Sequence, residues 1–147
     1  MDSIRSTGAR PNPDYEDDGA AAPSQSIAPV PFFLWTRKVT FQSTEFTGKW
    51  CVIRPAETVD ALWAKVREAV LAGRFPAALV SSATQAATYG GSYVICLFTP
   101  DWFNVEDVTA AREFLRELGV VEEIGYKRDI ETVFGVYGVP EEWKYRA

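Results

Sequence analysis

Ser92-Tyr-Val-Ile-Cys-Leu-Phe-Thr99 is a run of almost unbroken apolar, β-branched and aromatic residues. It is too short for a buried helix of ordinary length and lacks the alternation of a half-exposed strand. It therefore reads as a strand covered on both faces, the middle of a sheet. Upstream, Ala77 to Ser82 is a second short strand, and the polar segment to Gly91, with Thr84, Gln85, Thr88 and Tyr89, reads as a mobile loop. Before it, Val59, Leu62, Trp63, Val66 and Val70 recur at helical spacing, with Thr58 as the expected cap and Gly73 as the stop.

Lys49 to Arg54 is a strand halted by Pro55, with Trp50, Val52 and Arg54 on one face and Lys49, Cys51 and Ile53 on the other. Phe32 to Phe41 is an aromatic-rich first extended segment. Downstream of the central run, Asn104 is placed to cap a helix with Glu106 and Asp107 in its first turn. Val108, Ala111, Leu115 and Leu118 form its stripe, and Gly119 ends it. Val120 to Tyr126 and Thr132 to Tyr137 supply the last strands. The order strand, strand, helix, strand, strand, helix, strand, strand predicts an α+β domain, a curved, mainly antiparallel sheet with two helices on one face.

The chain of 147 residues with 47% hydrophobic content suits one domain that needs neither disulfide nor metal to close its core. Residues 1–31 hold five prolines, an alanine run and an acidic cluster that gives them a charge of −3, and they are expected to be a disordered tail. Residues 32–147 form the folded domain. The remaining net charge of −2 offers no field for nonspecific nucleic-acid binding, so DNA is not an expected partner. Cys51 and Cys96 lie in apolar strands without metal-ligand spacing and read as buried, reduced thiols. No run is apolar enough to span a membrane and no signal peptide is recognisable, so a cytoplasmic protein without membrane association is expected. The chain has no histidine, which removes the commonest metal ligand and neutral-pH base; no cofactor or metal is expected.

One charge cluster stands out: Lys127, Arg128, Asp129 and Glu131, flanked by Gly125, Gly135 and Gly138. Lys127 and Asp129 share a face if extended, so a plain surface ion pair also accounts for them. Trp35 and Trp63 read as core residues and Trp143 as a C-terminal anchor, whereas Trp102 follows Pro100-Asp101 in a loop.

Leu34-Trp35, Thr58-Val-Asp-Ala-Leu-Trp63, Gly90-Gly-Ser-Tyr-Val-Ile95 and Leu118-Gly119 followed by Ile124-Gly-Tyr126 resemble the framework of the translation initiation factor 4E cap-binding fold. Thr47-Gly-Lys-Trp50, Val94 to Thr99 with Asp101, and Tyr126-Lys127 with Asp129 are more closely similar to the uncharacterised family of the basophilic-leukemia-expressed protein, itself 4E-like. The resemblance spans about residues 32 to 138. It implies a concave surface that recognises phosphate. In cap-binding relatives two tryptophans sandwich a methylated guanine and a glutamate holds its edge. Here Phe46 stands where the first tryptophan is expected, and Ser82 to Gly91 carries no Trp-Glu pair; Trp102, Trp50 or Tyr89 are the available substitutes.

Three functions follow from these residues and the resemblance. The first is a binding module for a phosphorylated ligand, whether a small molecule or nucleotide, an RNA end or a phosphopeptide. It would use Lys49, Arg54, Lys127 and Arg128, with Asp101 and with Trp50 or Trp102 as stacking surface. The second, implied by bacterial members described as phosphothreonine lyases, is a carbon-oxygen lyase acting on phosphoprotein. Lys49 or Lys127 would be its base, Asp101, Asp129 or Tyr126 its acid, and Arg54 and Arg128 its phosphate clamp. The third is a protein-interaction scaffold without catalysis, its charges an ordinary solvated rim.

Overall fold

A computed structural model describes residues 13–27, 32–130 and 143–147. The elements in chain order are β1 (Tyr15–Asp17), β2 (Phe33–Lys38), β3 (Gly48–Pro55), α1 (Ala56–Leu71), β4 (Ala77–Ser81), α2 (Ala83–Ala87), β5 (Ser92–Thr99), α3 (Val105–Glu117), β6 (Gly125–Arg128) and β7 (Tyr145–Arg146), with a 3-10 turn at Pro23–Gln25. The strands form one seven-stranded sheet in the order β1-β2-β4-β5-β3-β6-β7, and every neighbouring pair is antiparallel. The α+β architecture expected from the central run is what is found, with β5 in the middle.

The pleat divides the sheet into two unlike faces. Leu34, Trp50, Val52, Ala78, Val80, Ile95, Leu97 and Tyr126 point to one side and pack against Val59, Trp63, Val66 and Val70 of α1 and Val108, Ala111 and Leu115 of α3. Each helix closes on a glycine with positive φ, Gly73 at 85° and Gly119 at 99°, a conformation that side-chain-bearing residues avoid. The opposite face carries Ala77, Leu79, Cys51, Cys96 and Phe98, with Phe33, Trp35, Phe41, Val94 and Trp143 against them. No long helix covers it among the described residues.

Four expectations need correction. The first helix starts at Ala56 with Pro55 in the cap position and no side-chain cap, because the proline's fixed φ already suits a helix start; Thr58 lies inside the first turn. The segment expected as a mobile loop contains α2, where the Ser82 hydroxyl accepts from the Gln85 amide at 3.2 Å. The last long strand starts at Gly125 rather than Val120, although Val120 and Ile124 are buried. Residues 13–27, expected within a disordered tail, instead dock on the domain. β1 pairs with β2, Trp63 Nε1 donates to Gly19 O at 2.8 Å, and Asp17 accepts from Thr36 Oγ1 at 2.7 Å and from Arg67 Nε at 3.0 Å. Apolar content misjudged this segment because polar bonds to β2 and α1 hold it. The strand expected over 132–137 lies outside the described residues, as do Glu131, Gly135 and Gly138.

Candidate functional site

Strand parity builds the site. In β3, the residues alternate with those that face α1 and α3, so Lys49, Cys51 and Ile53 emerge on the opposite face. The register sets Lys49 between Phe98 of β5 and Lys127 of β6, and sets Cys51 opposite Cys96. A concave basin of about 640 Å³ results. Phe33, Trp35 and Phe98 form its aromatic wall, Leu79, Cys51 and Cys96 its floor, and Gln85 and Tyr89 of the α2 region its rim. Lys49, Lys127 and Asp129 make the charged end.

That end is built around a buried ion pair. Lys49 and Asp129 are 5% and 7% exposed, and Nζ lies 2.6 Å from Oδ1. The other Asp129 oxygen accepts from the Ser43 hydroxyl, and the Asp129 amide donates to Thr47 O at 2.8 Å. The β2–β3 loop thus grips the end of β6 and fixes the carboxylate. Lys49 Nζ also lies 5.4 Å from the Phe98 ring centre, and Lys127 Nζ lies 5.9 Å from that of Trp143. Trp35 stacks on Phe98 with centroids 5.3 Å apart and planes 24° apart, while Phe41 meets Phe98 edge-on at 5.4 Å. The Arg37 guanidinium lies 4.7 Å from the Trp35 ring centre.

Of the residues singled out by sequence, the structure brings Lys49, Lys127 and Asp129 together, with Tyr89 at the rim of the same basin. Trp50, Arg54, Asp101, Trp102, Tyr126 and Arg128 lie elsewhere, and pleat parity explains most of this. Trp50 is 2% exposed on the helix face, its Nε1 donating to Val108 O at 2.9 Å, so it is a core residue and offers no stacking surface. Arg54 pairs with Glu122 at 2.5 Å, which holds the Glu122 carboxyl below its ordinary value. Asp101 turns its own loop by accepting from the Phe103 amide at 2.8 Å. Trp102 donates from Nε1 to Glu45 O at 2.9 Å and packs beside the helix-face core. Arg128 and Lys144 lie 5.5 Å and 4.6 Å from its ring centre, a cation–aromatic cluster apart from the basin. Asp129 pairs with Lys49, eighty positions away, where the sequence suggested Lys127.

Sequence reading missed Phe33, Trp35 and Phe98 as site residues. The sequence reads Trp35 as a core residue, yet it is half-buried on the basin side. The signal was available: Phe33 and Trp35 alternate with buried Leu34 and Thr36. Among the described residues, no three His, Cys, Asp or Glu side chains gather closely enough to hold a metal ion, and no helix is long and apolar enough to cross a membrane.

The profile of the basophilic leukemia-expressed protein Bles03 matches residues 38–135, which hold β3 to β6 and all of the charged end. The chain belongs to the Bles03 family. Among solved structures, this Bles03-family domain is similar to schistosome eIF4E complexed with m7GpppG and 4E-BP. The TM-score is 0.66 at 14% identity, covering 88% of this chain and 76% of that one. It is also similar to C. elegans eIF4E-3 in complex with the 4E-binding protein Mextli and a cap analogue, with a TM-score of 0.62 at 13% identity over 84% and 74% of the two chains. Ascaris suum eIF4E-3 with an m2,2,7G cap gives 0.60 at 14% identity over 83% and 73%. At these identities the likeness is one of fold: the domain is eIF4E-like.

Proposed function

We propose that the basin binds a phosphorylated ligand carrying a flat, aromatic group, such as a nucleotide or an RNA end. The observation that carries this reading is the confluence of Lys127 and the Lys49–Asp129 pair with the Trp35, Phe33 and Phe98 wall in one concavity. An ammonium at one end and π-faces at the other suit a phosphate joined to a base. The eIF4E structures that share the fold carry cap analogues, which supports a nucleotide on this architecture. The only carboxylate lining the basin among the described residues is Asp129, and it is committed to Lys49 and Ser43. The guanine-edge glutamate of cap recognition therefore has no counterpart there, and the preference for a methylated base is weak or absent. A phosphopeptide would use the charged end but leave the aromatic wall idle. A lyase would need Lys49 or Lys127 presented as a base, and the Lys49 nitrogen already donates to a carboxylate, which disfavours the first of the two.

The test is a fluorescence and thermal-shift titration with nucleoside mono-, di- and triphosphates, capped and uncapped RNA ends, and phosphothreonine peptides. Saturable change is expected with the nucleotides. Lys127→Ala weakens it by roughly 10- to 100-fold, about what a charge-assisted hydrogen bond contributes. Arg128→Ala, next door but on the other face, leaves it within about twofold. No response across the panel, or equal losses in the two variants, overturns the reading. Loss of phosphoric acid from the phosphothreonine peptide, read by mass, would replace it with the lyase.

A further inference from the structure

Cys51 and Cys96 occupy directly opposed positions on the antiparallel strands β3 and β5, and their sulfurs lie 3.7 Å apart. Both are free thiols on the floor of the basin, 9% and 5% exposed. Directly opposed residues on antiparallel strands have Cα atoms about 4.5 or 5.5 Å apart, depending on whether the pair is hydrogen-bonded. Either value falls within the range of about 4.4 to 6.8 Å that a disulfide spans. Bond formation therefore asks for side-chain rotation that brings the sulfurs from van der Waals contact to about 2.05 Å, with no change of strand register.

We propose that Cys51 and Cys96 are a peroxide-reactive dithiol that closes to a reversible cross-strand disulfide on the basin floor. Two thiols at contact distance, opening onto a concavity wide enough for a peroxide and bordered by two ammonium groups, are what such a site needs. The polarity within the pair sets the order of events. The hydrogen bond from Cys51 draws the Cys96 thiol below its ordinary value, assisted by the charges of Lys49 and Lys127 against burial and Asp129. That same bond and burial push Cys51 up. Cys96 is accordingly the attacking sulfur. Its thiolate forms an S–O bond with one peroxide oxygen as the O–O bond breaks, and the departing hydroxide takes a proton and leaves as water. Cys51 then attacks the Cys96 sulfenic acid, forming the S–S bond and expelling a second hydroxide, which leaves as water with the Cys51 proton. Two thiols are oxidised to one disulfide, and one peroxide is reduced to two waters. A thiol reductant reverses the step by exchange.

The experiment uses the full chain, which has only these two cysteines, reduced, desalted and treated with graded hydrogen peroxide before alkylation under denaturing conditions. The expected result is a monomer that loses both alkylation sites together, drops by about 2 Da, and yields a Cys51–Cys96 linked peptide that dithiothreitol removes. In Cys51→Ser, dimedone traps a sulfenic acid on Cys96 faster than it traps one on Cys51 in Cys96→Ser. The wild-type peptide map stands even if a serine variant fails to fold. Two fully alkylated cysteines after peroxide, or linkage found only between chains on a non-reducing gel, overturn the proposal. Faster trapping on Cys51 overturns the assignment of Cys96 as the attacking sulfur.

Discussion

Replacing Lys49 by methionine removes an ammonium from a site that is 5% exposed and leaves the Asp129 carboxylate, 7% exposed, without its 2.6 Å partner. At that separation and an effective dielectric constant of about 20, the direct attraction is about 6 kcal/mol, which the cost of drying both ions largely offsets. What the variant exposes is the uncompensated carboxylate, and breaking a buried pair from one side costs about 3–5 kcal/mol. Ser43 and the backbone still hold Asp129, so the lower end of that range is expected. Asp129→Asn keeps a hydrogen-bond acceptor near Lys49 and should cost less. Lys49→Met combined with Asp129→Asn removes both charges, and its cost should fall below the sum of the single changes by about 1–3 kcal/mol. Urea unfolding followed by tryptophan fluorescence gives all three values, provided the slope with denaturant stays constant. If each single change costs under about 1 kcal/mol and the costs add, the pair is not the structural centre of the charged end described above.

Three further outcomes follow from other parts of the molecule. A Cβ at Gly48 would collide with the Tyr126 phenol, which shares a 2.6 Å hydrogen bond with Thr99, so Gly48→Ala should destabilise by about 1–3 kcal/mol in the same unfolding assay. Burial pushes the Tyr126 phenol up to about 12, with the Thr99 bond opposing it, from an ordinary value of 10.0. Because the folded value is the higher one, its contribution is whole below pH 10 and is lost as pH rises through about 12. Tyr126 should therefore ionise late in an ultraviolet titration, with unfolding as it does. At Asp17 burial acts upward, but the bonds and charge of Arg67 with the Thr36 hydroxyl outweigh it and hold the carboxyl below 3.8. That contribution is present above pH 3.8 and lost as pH falls through the lower folded value, so the protection of residues 13–27 against hydrogen exchange, taken relative to the intrinsic rate at each pH, should fall in acid and in Asp17→Ala at neutral pH.

How much of this was legible in the chain depended on the length scale of the signal. The strand over 92–99 and the helices of Trp63 and Leu115 declare themselves because their pattern repeats within one element, and packing follows it. The docking of residues 13–27 was hidden, because its anchors are Asp17 to Arg67 and Gly19 to Trp63, single contacts between segments some fifty residues apart with no local period. The site was half legible for a similar reason. Lys127 and Asp129 lie two apart and could be set on one face by counting, but Lys49 joins them only through the β3–β6 register. Parity sets Trp50 on the face opposite Lys49, but which face of the strand the helices cover is decided by the packing of α1 and α3, and that packing puts Trp50 in the core. Trp102 lies in a turn, where no period says which way a side chain faces.

Parity also decides what the charge cluster at the end of the domain can mean. Read along the chain, Lys127, Arg128 and Asp129 are one group; folded, the middle member turns to Trp102 and the outer two face the basin. Among the described residues, the charged end then comprises two ammonium groups and one carboxylate, a net single positive charge. The carboxylate stands against Lys49, and Lys127 lines the basin wall beside them. The eIF4E-like sheet supplies the concavity, but the residues on its open face set which anion fits. If the basin takes the phosphorylated, flat-ring ligand proposed for it, Lys127 meets the phosphate and Trp35 the ring, which is what the Lys127→Ala and Arg128→Ala titrations separate.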